Sequence, residues 1–524
     1  MRGLLPVLFA GAAALAALPG ERMYLEGILP SGQPMQSSGL PGTAFACSSC
    51  HLRSGLGKRE RGVLTPPITA ARLFQPRYRY FPELDPAERA DLPEAVRESL
   101  RRPAYTEASL VAAIRDGVDP AGQPLSPAMP RYRLDDGATE QLAGYLKSLS
   151  PEISPGVSGT TLSFATVIAG KVAAEDREAM LATLEHQVRI HNNLWQNAQG
   201  KAYRSLAMRE PALAFRRWSL AVWELPGPAS GWRAQLEARY REAPVFALVG
   251  GISTGDWRPV HEFCEAQGLP CVLPLTDFPV LSGPARQTLY FSGGFRQEGA
   301  AAAAHLARKG AAAVVQLVQD SPEGRALAAG FREAWAGPEV TVLAPAGRIT
   351  GAFLARLLRR HPGAALALWA GPESYPALRQ IASGPDRPSL VLMSASYLRE
   401  AVWAAPQNAR PSLLLTYPYR LRRPAGAMAA GAAPVDLVMV ENDRRVRSRA
   451  YAIMQILGEG VERMGRNFYR EHFMEGIGLM EDKGDTDYQV LRFGEPCLSA
   501  GCYLVRLAPG PVHGFVGQSQ WVTF

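Results

Sequence analysis

Cysteine and histidine are scarce in this chain, with six and eight among 524 residues. No second Cys pair repeats the spacing of the first, which excludes a four-cysteine zinc site. There is no His-x-x-x-His pair and no Gly-x-Ser-x-Gly elbow, so zinc-protease and serine-hydrolase chemistry have no support. Beyond the first 20 residues no stretch reaches the ~18 uncharged apolar residues of a membrane helix. The formal charge of +8 is modest. The arginines are scattered, as at Arg101-Arg102, Arg216-Arg217, Arg359-Arg360 and Arg422-Arg423. No basic stripe is interleaved with aromatics, so nucleic acid is not an expected partner. A weakly basic surface can steer an acidic redox partner, and a bias toward arginine coding explains the same charge. Low-complexity tracts and internal repeats are also missing.

Against that background, Cys47-Ser48-Ser49-Cys50-His51 stands out. Cys-x-x-Cys-His is the pattern by which haem is attached covalently. Two thiols add across the haem vinyl groups, and the tight turn between them directs the following imidazole at the iron. With this composition, chance supplies about one such run in a thousand chains of this length. The competing readings are a redox dithiol and half a zinc site.

The N-terminus agrees with that motif. Met1-Arg2-Gly3 is a short basic start, Leu4 to Leu18 an apolar run, and Ala14-Leu15-Ala16 a small-x-small cleavage site. Residues 1–20 are therefore expected to be a secretory signal, with an uncleaved membrane anchor as the other reading. An exported, periplasmic protein follows, and the four remaining cysteines fit an oxidising compartment as two local disulfides, Cys264–Cys271 and Cys497–Cys502. Free buried thiols are the alternative for both pairs.

Residues 21–150 read as one unit. A helix is expected over Glu107–Arg115 and another over Asp136–Leu149, the latter with Leu142, Tyr145, Leu146 and Leu149 on one face. Between them lies Leu125-Ser126-Pro127-Ala128-Met129-Pro130-Arg131-Tyr132. A methionine held between prolines cannot easily join a helix. Such a thioether suits the sixth position of a haem iron, and His/Met ligation suits electron transfer. Met35 also sits beside a proline, but it precedes the haem motif. These segments, with Ile114-Arg115-Asp116-Gly117-Val118-Asp119 and Tyr145-Leu146-Lys147-Ser148-Leu149, resemble the class I c-type cytochromes. The resemblance implies an all-α cytochrome c domain holding one haem c. Cys47 and Cys50 would be its covalent attachments, and His51 and Met129 its axial iron ligands.

Residues 151–160 are a linker by composition, rich in Pro, Ser and Gly. Residues 161–524 then alternate strands and helices. Strands are expected over Thr161–Ala169, Trp218–Trp223, Pro244–Val249, Cys271–Pro274, Ala312–Val318, Ala364–Trp369 and Leu390–Met393. Helices are expected over Glu175–Trp195, Gly231–Tyr240, Trp257–Gln267, Gly299–Lys309 and Ser321–Trp335. The alternation predicts a mostly parallel sheet covered on both faces, and the length predicts two lobes. This order resembles the type I periplasmic binding fold, its branched-chain amino-acid-binding branch in particular. The resemblance rests on Leu162 to Val167, Val245 to Gly251, Gly268 to Pro274 and Gln297-Glu298-Gly299. It implies a ligand cleft between lobes of about 161–286 with 417–480, and 287–416 with the C-terminal segment. Gln287–Ser292 and Leu413–Tyr417 are the expected crossings.

Ligands in such folds sit where strands end and helices begin. Ser253, Thr254 and Thr276 occupy those loops, with Ser321, Tyr375 and Tyr417 opposite or at the hinge; helix capping requires the same residue types. No clear acidic partner for an amino group is evident. His191, His261, His305 and His361 read as core or helix-end residues.

The expected protein is thus multidomain, an all-α cytochrome c domain followed by a two-lobed α/β type I periplasmic-binding fold. Its expected role is electron transfer with a periplasmic dehydrogenase or another cytochrome, coupled to a small-molecule-binding or docking module. The alternative is a solute receptor of a transport or redox-sensing system with the haem as accessory. Either is a binding or electron-transfer role rather than an enzyme turning over its own substrate, and membrane contact would come only through an uncleaved signal.

Overall fold

The computed structural model describes residues 20–37, 45–57, 59–60, 63–78, 92–149, 154–202, 215–282, 287–345, 349–421, 435–436, 442–465, 468–484, 486–508 and 514–523. The expected signal lies outside these residues, as does most of the 151–160 linker's beginning. Two compact units emerge: Met1–Ile153 with Glu471–Glu475, and Ser154–Arg470 with Gly476–Phe524.

The first unit is built on short helices: α1 (Glu21–Glu26), α2 (Cys47–His51), α3 (Ala70–Leu73), α4 (Glu94–Ser99), α5 (Glu107–Arg115) and α6 (Asp136–Ser148). Both helices expected from periodicity are present. Thr106 caps α5 by accepting from the Ser109 backbone N–H, and Asp135 caps α6 by accepting from Ala138. Leu110, Ala113 and Ile114 of α5 and Leu142, Ala143 and Leu146 of α6 enter one core with Met23, Tyr24 and Met35. The unit is not purely helical, because two-residue ladders such as Gln36–Ser37 with Tyr132–Arg133 close its loops.

In the second unit two sheets form. The first contains β1 (Thr161–Ala169), β2 (Arg217–Leu225), β3 (Ala247–Val249), β4 (Ile252–Ser253), β5 (Cys271–Val272), β6 (Thr288–Ser292) and, from far along the chain, Cys497–Ser499. All its pairings are parallel. α7 (Ala174–Ala202), α8 (Trp232–Glu242) and α9 (Arg258–Gln267) connect the early strands. Val167, Leu248, Phe263 and Trp257 lie in its core.

The second sheet begins after α10 (Gly294–Arg308) with β7 (Val314–Val318). It continues through α11 (Pro322–Ala334), β8 (Glu339–Leu343), α12 (Gly351–Arg360), β9 (Ala365–Trp369), α13 (Tyr375–Ala382), β10 (Val391–Ser394), α14 (Ala395–Leu398) and β11 (Leu413–Tyr417). These strands are parallel, and two antiparallel strands, Tyr503–Leu507 and Phe515–Gly517, extend the sheet past β11. Alternate residues enter opposite cores: Val315, Leu317, Leu366 and Leu368 on one face, Val314, Val318, Ala367 and Trp369 on the other. Burial on both faces is why these strands read as unbroken apolar runs.

The chain passes between the sheets three times. β6 belongs to the first sheet although 287–416 was expected in the second lobe, and β11 leads back through α15 (Asn442–Met464), which packs on α7. The C-terminal segment is shared: Cys497–Ser499 joins the first sheet and Tyr503–Leu507 the second. Of the pairs expected as disulfides, Cys497 and Cys502 pack against the cores of different lobes, and Cys264 and Cys271 lie together in one core; all four are free cysteines here.

Candidate functional sites

The second unit holds a cavity of about 120 Å³ at the strand ends between its two sheets. One wall comes from the first sheet. After β3 the chain turns through Gly250 and Gly251, both at positive φ. A Cβ on Gly251 would lie 2.9 Å from Trp257 and 3.0 Å from the Val167 carbonyl. Only glycine tolerates that approach, and it delivers Ile252, Ser253 and Thr254 to the cavity. Opposite, α14 and the turn after it bring Ser396, Arg399 and Glu400. Tyr419, just after β11, and Arg445 and Arg449 of α15 complete it.

Two of the six hydroxyl residues expected at a ligand line this cavity, and both are engaged with backbone. Ser253 Oγ accepts from the Gly255 N–H at 3.0 Å, and Thr254 Oγ1 donates to the Lys171 carbonyl at 3.1 Å. Thr276 caps its own turn by accepting from Phe278. Ser321 caps α11 through Gly324 and meets the Tyr397 hydroxyl at 2.8 Å. Tyr375 donates to the Ala401 carbonyl within the second lobe. Tyr417 is buried behind the cavity, where its hydroxyl accepts from Arg445 Nη2 at 3.1 Å. Bonds to backbone, capping among them, account for all of these residues but Tyr417.

The charged lining escaped sequence reasoning. Arg445 sits over Tyr419, its guanidinium carbon 4.1 Å from the ring centroid. Burial opposes the charge on Arg449, but Tyr419, Tyr488, Asp277 and Asp487 outweigh it and hold the guanidinium ionised. Arg399 is one of three non-glycine residues at positive φ among the described residues (50°, with ψ −136°), a costly backbone conformation that clusters at functional positions. The signal that could have placed two of these arginines is the spacing Val446, Ala450, Ile453, Leu457, Val461, which marks α15 as a helix.

Beneath Ser396, the carboxyl of Glu298 is buried. It accepts from Ser394 Oγ at 2.7 Å and from Thr416 Oγ1. Burial, against those hydroxyls, raises its pKa to about 7.

The first unit holds two adjoining apolar cavities, of about 130 and 100 Å³. Cys47, His51, Pro66 and Met129 line both. His51 Nδ1 lies 2.9 Å from the Pro66 carbonyl, which leaves Nε2 as the ring nitrogen available to a metal. Burial pushes the imidazole down to about 4, so it is neutral. Cys50 opens on the larger cavity only. Met35 is wholly buried among Met23 and Tyr24 and lines neither cavity. An apolar slot with two thiols on one helical turn, a neutral imidazole and a thioether fits a covalently held haem.

Residues 228–484 match the family model described as Periplasmic binding protein. No curated protein matches the chain. Among solved structures, the chain is similar to an ABC transporter substrate-binding protein from Sphaerobacter thermophilus at 15% identity, covering 69% of this chain and 98% of that one, with a TM-score of 0.49. A fatty acid ABC transporter substrate-binding protein from Thermomonospora curvata aligns at 12% identity over 71% and 95%, TM-score 0.46. A leucine-binding protein from Thermotoga maritima MSB8 aligns at 15% over 70% and 99%, TM-score 0.45. The C-terminal part is thus a two-lobed α/β fold by its own two sheets, and residues 228–484 of it match the Periplasmic binding protein model.

Proposed function

We propose that the C-terminal part is an extracytoplasmic solute receptor and that the N-terminal unit carries a covalently attached haem. The single observation behind the receptor reading is the cavity between the two sheets, whose lining falls largely within the residues that match the periplasmic binding family. Strand ends and crossing segments meet there, as ligand sites in open α/β sheets do. Polar groups from both lobes face the cavity, so a bound solute bridges them and favours the closed arrangement. The test is calorimetry or thermal shift of the full chain against a metabolite library. A saturable ligand supports the receptor; no stabilisation by any compound argues for docking onto a partner instead.

A second reading rests on Cys47, Cys50, His51 and Met129 around one apolar slot. A haem held there supplies one-electron transfer to or from a periplasmic partner such as a dehydrogenase or another cytochrome. The chain's own part would be to anchor the group through the Cys47 and Cys50 thiols, offer His51 Nε2 and the Met129 thioether as iron donors, and exclude water with the apolar lining. Expression with the haem-attachment machinery, followed by mass spectrometry, tests this: one haem added to the mature chain is expected. Loss of the adduct in Cys47→Ala/Cys50→Ala supports the assignment, whereas an unmodified wild-type chain overturns it.

A further inference from the structure

We propose that the solute bound between the lobes is a compact organic acid, recognised through its carboxylate by Arg445, with Arg399 as a second contact at the rim. This rests on the receptor reading above and adds the ligand's chemical class.

The charges around the cavity are unevenly committed. Asp277 lies in the field of Arg449, which also feels Asp487. Asp176, in the first turn of α7, already has an interaction of its own. Arg445 is different. Among the described residues no carboxylate comes within ion-pair distance of it; its contacts are the Tyr419 ring and the Tyr417 hydroxyl. Its guanidinium carbon lies 4.1 Å from the Tyr419 ring centroid and 5.5 Å from that of Tyr417, and the Tyr417 hydroxyl takes one of its N–H groups, so the others remain to form a fork. That fork fits a planar carboxylate by two parallel hydrogen bonds. A half-buried guanidinium with no carboxylate partner among the described residues is costly to hold, and an anionic ligand lowers that cost.

Arg399 supports the same class independently. It also lacks a carboxylate partner among the described residues, and it occupies the left-handed region at φ 50°. The segment is held by the Ser394 cap on α14 and by buried Leu398 and Val402 on either side. That conformation places the start of the turn, with the Arg399 side chain, on the cavity wall from the second lobe. Its sequence neighbour Glu400 also lines the cavity, so the rim favours anions less strongly than Arg445 does. The Ser253 and Thr254 hydroxyls are committed to backbone, so the arginines are the charged donors with capacity to spare, with the unpartnered Ser396 hydroxyl beside them. A volume of about 120 Å³ suits a small solute and not a peptide.

The experiment uses the full chain and matched probes: butyrate, butylamine and butyramide, then phenylacetate, phenethylamine, phenylacetamide and phenylalanine. Calorimetry at constant ionic strength is expected to rank the acid first in at least one set. Arg445→Gln should weaken that acid on the order of 10- to 100-fold, the loss of a charged bidentate contact. Arg399→Gln should weaken it less. Arg445→Lys, which keeps charge without the fork, should recover part of the loss and serves if the glutamine variant does not fold. Preferential binding of the amines or of phenylalanine overturns the acid assignment while leaving the receptor standing. Equal acid affinity in Arg445→Gln overturns it too. A cleft that binds no solute of any class removes both readings together.

Discussion

The guanidinium of Arg131 donates to the backbone carbonyl of Met129, two residues before it. The same side chain reaches the carbonyls of Leu125 at 3.2 Å and Ser126 at 3.3 Å. One side chain thus staples both ends of the loop that carries the proposed thioether ligand.

Arg131→Ala should therefore loosen the methionine loop and leave α5 and α6 intact. In haem-loaded protein the expected results are a weaker thioether-to-iron absorption band and faster binding of added imidazole, with far-ultraviolet circular dichroism unchanged. Met129→Ala should abolish that band outright. An unchanged spectrum in Met129→Ala would sink the ligand assignment.

Glu298 predicts a pH dependence with a definite sign. Its pKa rises from 4.5 to about 7 on folding, chiefly through burial, with Asp277 adding to the rise and Cys502 close by. Between those values the folded state holds a proton that the unfolded chain has released. Stability is thus highest below about pH 4.5 as far as this group decides it, falls as pH rises toward 7, and levels off above. The total is on the order of 3 kcal/mol. Denaturant midpoints from pH 5 to 8 should show the fall, and Glu298→Gln should flatten it.

Gly299 and Gly330 let α10 and α11 cross closely. A Cβ on Gly299 would stand 2.0 Å from the Leu327 carbonyl oxygen, and one on Gly330 1.9 Å from that of Arg296. Backbone cannot yield as a side chain does. Gly330→Ala should cost about 1–3 kcal/mol despite alanine's better helix propensity, read as a lower urea midpoint.

Arg470 is buried and spends its guanidinium on backbone. Nε donates to the Phe246 carbonyl at 2.9 Å, and Nη2 to that of Val245 at 2.6 Å and to the Tyr240 hydroxyl at 2.9 Å. Arg470→Met should orphan those acceptors and destabilise by about 3–5 kcal/mol. A loss under ~1 kcal/mol would show that water replaces the bonds.

Much of the fold was legible because its signals are short-range. Thr161–Ala169 and Glu107–Arg115 have the bounds that their alternation and periodicity predict. The first turn of α10, with Glu298, was missed because Gly293 and Gly294 read as a break rather than a start. α15 was missed beside a long segment of mixed composition, and Arg445 and Arg449 went with it. The loop hydroxyls were visible as residue types, but a cap and a ligand contact need the same atoms.

The sequence by itself determined the Cys-x-x-Cys-His run, the methionine between prolines, the α/β alternation and the expectation of two lobes, because each depends on neighbours a few residues apart. Only the tertiary structure decided which groups face the cleft. Ser253, Arg399 and Arg445 come from strand end, turn and helix far apart in the chain, and three crossings between two sheets bring them to one cavity. Whether a polar side chain is satisfied by its own backbone or left to meet a solute depends on that packing, which no local pattern encodes.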